Sequence, residues 1–163
     1  DLHSTSRRQR QMCIRDRNLE ICQSFARDFR PGKQNLLLFG APGLGKTFLS
    51  ACIARVVSED GFSVVYDTAG HIFSQFEASK FRRDDVDEPD ESVERCMACD
   101  LLILDEVLGL VEKDIITEDD LKALLECRGD TDVILTGITL NDEICVLADE
   151  VSKIETVKFK VWD

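Results

Sequence analysis

Eight consecutive residues, Gly40-Ala41-Pro42-Gly43-Leu44-Gly45-Lys46-Thr47, form a complete G-x-x-x-x-G-K-[ST] loop. An apolar run, Leu36-Leu37-Leu38-Phe39, precedes it, and a helix-like segment from Thr47 to Ser58 follows. Strand, loop and helix in that order leave few folds open to the chain. The glycines let successive backbone N–H groups curl around an anion, and the helix behind them turns its positive dipole end to the same point. Gly40, Ala41, Pro42, Gly43, Leu44, Gly45, Lys46, Thr47 and the adjoining Phe48 are therefore the candidate nucleotide-binding residues. Lys46 is expected to reach the β- and γ-phosphates of ATP, and the Thr47 hydroxyl to ligate Mg²⁺.

A second element supplies the carboxylates that such a loop needs. Leu101-Leu102-Ile103-Leu104-Asp105-Glu106 reads as a strand buried on both faces that ends in two acids. In open α/β sheets the ligand sits beyond the carboxyl ends of the strands. Asp105 is accordingly expected to hold Mg²⁺, and Glu106 to polarise an attacking water, with Lys46 completing the catalytic set. The fold expected is α/β, a three-layer P-loop NTPase sandwich with a mostly parallel sheet.

Further elements follow from periodicity and local signals. Residues 17–29 carry apolar side chains at helical spacing and stop at Arg30-Pro31-Gly32. Phe62 to Tyr66 reads as a strand, Ala69 to Phe81 and Val93 to Ala98 as helices. Thr117 with Asp120 forms a capping box ahead of Leu121, Leu124 and Leu125. Val133-Ile134-Leu135 is a further buried strand ending at Thr136-Gly137. Asn141 is expected to cap a helix running to Leu147, and Ile154 to Phe159 to alternate as an edge strand.

Composition narrows the function classes. A chain of 163 residues, 44% of them hydrophobic, suffices for one domain with a real core. It has no apolar run of about 18 residues and no segment with the layout of a secretory signal, so a cytoplasmic protein without membrane contact is expected. A net charge of −12 argues against a broad nucleic-acid footprint, making single-stranded DNA binding weak or absent. The seven cysteines lack framework spacing and read as reduced thiols. Cys96-Met97-Ala98-Cys99 is one C-x-x-C with no second pair, too few ligands for structural zinc. The acidic run from Asp84 to Glu91 lacks the glycine and spacing of a calcium loop and reads as a solvated linker.

Residues 1–16 are polar and basic against an acidic remainder, and Arg7 to Asp16 resembles the translation of a transposase-type sequencing adapter in one reading frame. That segment is set apart from the functional reading. Residues 17–163 then form a single P-loop domain.

Two resemblances meet on that domain. The strings NLLLFGAPGLGKTFLSACIARVV, GFSVVYDTAGHIFSQFEASKF and CDLLILDE, over residues 17–105, resemble the bacterial replicative helicase loader family, of DnaC and IstB type. The resemblance implies an AAA+ ATPase in DNA replication, with Lys46 and Thr47 as Walker A residues and Asp105 as the Walker B metal residue. A replicative helicase would be its partner and its oligomeric state stays open. The family usually has Asp-Asp followed by Gly-Thr-Glu where this chain has Asp105-Glu106-Val107-Leu108-Gly109. An AAA+ loader also needs an arginine finger, and beyond Arg95 only Arg128 is present, reading as a helix end. Residues 99–163, with DLLILDEVLG, DVILTG and LADEVSKIETVK, are similar instead to the C-terminal part of the corrinoid adenosyltransferase family. That resemblance implies cobalamin as the acceptor of the adenosyl group of ATP, yet Gly40–Thr47 departs from that family's GNGKGKTT loop. The patterns meet near residues 100–109, which reads as a composite seam, a misassembly in preference to a fusion. A helicase-loader ATPase is the first reading, an adenosyltransferase the alternative, and an ATP-binding chimera without specific activity the third.

Overall fold

The apolar runs at residues 36–39, 101–104 and 133–135 form the bodies of three buried strands, with helices packed on both faces of their sheet. The computed structural model describes residues 17–32, 34–82 and 91–155, with 78–82 and 92 described by backbone alone. Helix α1 covers residues 17–27. Then follow β1 (Asn35–Phe39), α2 (Lys46–Glu59), β2 (Val64–Thr68), α3 (Ala69–Arg82) and α4 (Glu91–Ala98). After them come β3 (Leu101–Asp105), α5 (Val107–Glu112), α6 (Glu118–Cys127), β4 (Asp132–Gly137), α7 (Asp142–Cys145) and β5 (Glu150–Lys153).

The five strands form one all-parallel sheet in the order β2-β3-β4-β1-β5. Strands β1, β3 and β4 are buried almost throughout, as a parallel sheet covered by helices requires. Alternation sorts their side chains into two cores. Leu36, Leu38, Leu101, Ile103 and Ile134 pack with Cys22, Ala26 and Phe29 of the α1 segment and with Ile53 and Val57 of α2. Leu37, Leu102, Leu104, Val133 and Leu135 pack on the other face with residues of α3 to α7, among them Ile72, Cys96, Leu108, Leu121 and Ile144. The three-layer α/β sandwich expected from the sequence is the architecture observed. Both cores draw on residues from either side of 100–109, with β3 paired to β2 on one flank and β4 on the other.

Several boundaries move for tertiary reasons. The second strand starts at Val64 instead of Phe62. Asp100 Oδ2 accepts from both the amide and the hydroxyl of Ser63, at 2.7 and 2.8 Å, holding residues 62–63 in the turn. The Phe62 ring stands edge-on to Phe29, centroids 5.0 Å apart. The expected edge strand at Ile154–Phe159 is corrected to Glu150–Lys153. Its pairing with β1 ends at Phe39↔Lys153, because β1 itself ends there and the phosphate loop begins. Residues 156–159 of that expectation lie outside the described residues. The helix capped by Asn141 stops at Cys145, short of Leu147, while α5 has no counterpart in the residue-by-residue reading. The acidic run of 84–90 and the adapter-like residues 1–16 also lie outside the described residues.

Candidate functional site

The site is built where β1, β4 and β3 end side by side. β4 stands between the strand leading into the glycine-rich loop and the strand carrying the acids. Three glycines shape the loop, with φ of 152° at Gly40, 76° at Gly43 and 90° at Gly45. At Gly43 and Gly45 a Cβ would meet nothing within 4 Å, so the backbone there faces open space. At Gly40 a Cβ would lie 2.2 Å from the carbonyl oxygen of Ile154, where the loop's root abuts the end of β5. Gly45 is also the N-cap of α2 and offers no side chain to the helix's first N–H groups. A 14-residue helix with uncapped amides and a loop of open backbone suits an anion.

Lys46 Nζ donates to the carbonyls of Gly40 and Ala41, at 2.7 and 2.8 Å. Burial pushes its pKa down, opposed by the nearby carboxylates of Asp105 and Glu106. Thr47 Oγ1 lies 3.2 and 3.4 Å from the two oxygens of Asp105. Asp105 is almost fully buried, and Thr136 Oγ1 donates to its Oδ1 at 2.6 Å. The same Thr136 oxygen accepts the Glu106 amide at 2.9 Å. Glu106 takes a left-handed conformation, φ 61°, at the junction of β3 and α5. That conformation is uncommon for a residue with a Cβ and is found where neighbouring structure over-determines the backbone.

These groups line a cleft of about 1070 Å³, into which Pro42, Gly43, Gly45, Lys46, Thr47 and Phe48 project from the loop side, and Asp105, Glu106 and Thr136 from the strand ends. Of the expected nucleotide-binding residues, Ala41 and Leu44 do not line it, and Gly40 faces Ile154 while its carbonyl holds Lys46. Phe48 is highly exposed at 71%. Sequence reading missed Thr136 as a site residue, although it closes a buried apolar run just as Asp105 does.

The donor set fits a small hard cation: one hydroxyl and one carboxylate, both oxygen, on facing elements. Among the described residues no arginine lines the cleft, and Arg128 is the buried C-cap residue of α6. Cys96 and Cys99 are buried, with Cys99 Sγ donating to the Cys96 carbonyl. No cluster of three or more metal-ligating side chains occurs among the described residues. No helix among them is long and apolar enough to cross a membrane.

A family profile described as "IstB-like ATP binding protein" matches residues 11–152. It extends to both sides of residues 100–109 and includes six residues of the adapter-like segment, 11–16. No curated protein sequence matches the chain. Among solved structures, the fold is similar to the DnaC helicase loader, with TM-score 0.63 and 18% identity over 86% of this chain and 89% of that one. It is similar to DnaI, with TM-score 0.56 and 18% identity over 88% and 83% of the two chains. It is also similar to AMPPCP-bound DnaA from Aquifex aeolicus, with TM-score 0.65 and 18% identity over 87% of this chain and 47% of that one. The chain thus spans about half the length of that DnaA structure. At such identities these likenesses concern the fold. None of them supports the adenosyltransferase or adapter resemblances.

Proposed function

This chain belongs to the family of IstB-like ATP-binding proteins, and from that premise we propose that it is a Mg²⁺-dependent ATPase of helicase-loader type. The observation that carries the reading is the convergence of Lys46, Thr47, Asp105 and Thr136 at the ends of three neighbouring strands. In it, the amides of residues 43–47 receive the phosphates. Lys46 leaves the Gly40 and Ala41 carbonyls to pair with the β- and γ-oxygens. Mg²⁺, when bound, neutralises phosphate charge, and Thr47 and Asp105 are the residues that hold it. Glu106 orients the attacking water and takes up its proton, its backbone fixed by the bond to Thr136. The likeness to DnaC and DnaI favours a replicative helicase as partner. The net charge of −12 disfavours broad contact with single-stranded DNA.

Calorimetry with AMPPCP and Mg²⁺ tests the site. Binding by the wild-type chain and its loss in Lys46→Ala are expected; unchanged binding in that variant refutes the phosphate-loop assignment. Glu106→Gln should retain binding and lose turnover by about 10²-fold or more, as removal of a positioned base does. Co-purification with a replicative helicase hexamer tests the loader part. Incubation with ATP and cob(I)alamin is expected to yield no adenosylcobalamin, and its formation would restore the adenosyltransferase reading.

A further inference from the structure

Strand β2 adds no charged group to the cleft, yet it reaches the phosphate loop from behind. Tyr66 lies two residues before Thr68, and Thr68 is the register partner of Asp105. Val64 packs in the same core as Leu101, Ile103 and the α2 residues Ile53 and Val57. Alternation therefore puts Tyr66 and Asp105 on the α2 face of the sheet. There the Tyr66 hydroxyl stands 3.1 Å from Ser50 Oγ and 3.4 Å from the carbonyl of Thr47. Ser50 is fully buried, its Oγ 3.0 Å from that same carbonyl. Either hydroxyl can be the donor between Tyr66 and Ser50, and both are within donating distance of the Thr47 carbonyl, so the three groups form one closed cluster.

We propose that Tyr66, together with Ser50, is a positioning residue that fixes the first turn of α2 so that Thr47 Oγ1 can share a divalent cation with Asp105. The inference rests on the nucleotide reading above and adds to it the source of the metal geometry. Two paired strands carry the two ends of the device: β3 carries Asp105, and β2 carries the group that sets where Thr47 stands. Mg²⁺ demands near-ideal octahedral geometry at about 2.1 Å, so a helix turn free to slide by a fraction of an ångström loses metal before it loses phosphate. Phosphate is gripped by many backbone amides along the loop, and small displacements are shared among them.

The test measures AMPPCP affinity by calorimetry in EDTA and across a Mg²⁺ titration, for the wild-type chain, Tyr66→Phe and Ser50→Ala. Both variants are expected to raise the Mg²⁺ concentration for half-maximal tightening by about tenfold, a common consequence of removing an outer-shell partner. Affinity in EDTA should stay within about twofold of wild type, and the double variant should cost less than the two single ones combined, as for groups in mutual contact. Equal weakening with and without Mg²⁺ would overturn the proposal, since it marks a general structural role. Unaltered Mg²⁺ dependence in both variants overturns it as well. A wild-type chain that binds no AMPPCP refutes the nucleotide reading itself, a result distinct from either of these.

Discussion

Thr136 shows how much a single hydroxyl can settle. Its oxygen accepts the Glu106 amide and donates to Asp105, so one side chain holds the carboxylate of one acid and the backbone of the next. The residue stood in plain view in the sequence, but a threonine after Leu135 carries no motif, and its meaning depends on β4 being inserted between β1 and β3. The glycines were legible as a loop, not as distinct parts. Gly40 is confined by the backbone of Ile154, whereas Gly43 faces open space. Gly40→Ala is therefore expected to cost about 2 kcal/mol or more in denaturant unfolding, because the Ile154 carbonyl cannot give way as a side chain would. Gly43→Ala should cost about 1–2 kcal/mol, from its positive φ alone, and reduce AMPPCP affinity because the new methyl enters the cleft. Comparing unfolding and binding for the two variants separates root from cradle.

Elements declared themselves in the sequence where their signals are local. The capping box of α6 is present as read: Thr117 Oγ1 accepts the Asp120 amide at 3.1 Å, and Asp120 Oδ2 accepts the Thr117 amide at 2.9 Å. Thr117→Ala is expected to lower stability by about 1 kcal/mol. It should leave AMPPCP affinity unchanged, since α6 packs on the face of the sheet opposite α2. Thermal unfolding beside calorimetry checks both halves. Elements whose limits depend on distant partners were misread. The start of β2 is set by Asp100, 37 residues away from Ser63, and the place of β5 by the length of β1. Period-two alternation at Ile154–Phe159 was a real pattern, but a parallel edge strand is located by its neighbour's hydrogen bonds and not by its own composition.

At the scale of the molecule, two buried thiols give the stability an alkaline limit. Burial raises Cys22 and Cys99 from 9.0 to about 11. Between those values the unfolded chain has lost thiol protons that the folded chain retains. Stability therefore falls as pH rises from 9 toward 11, by up to about 1.4 kcal/mol per pH unit for each thiol, and is unaffected by them below about pH 8. Urea unfolding under reducing conditions from pH 7.5 to 10.5 should show that decline, and Cys22→Ala should reduce its slope by about half, the Cys99 share remaining. Both cores combine residues from the two sides of 100–109, so one cooperative transition is expected in those experiments. The overall α/β class was legible from three buried runs and one loop. The order of strands was not, because it is a property of pairings between residues about 100 apart in the chain.

That order has a metric consequence. Adjacent strands stand about 4.8 Å apart, so placing one strand between β1 and β3 separates their ends by roughly 10 Å. The interval is rigid, set by two rows of backbone hydrogen bonds rather than by side chains that can swing. It leaves room for phosphate between the glycine-rich loop and β3, while the start of α2 carries Thr47 back to within 3.2 Å of Asp105. The sheet thus works as a caliper whose opening is set by topology, and β4, lying between the two jaws, sets the gauge.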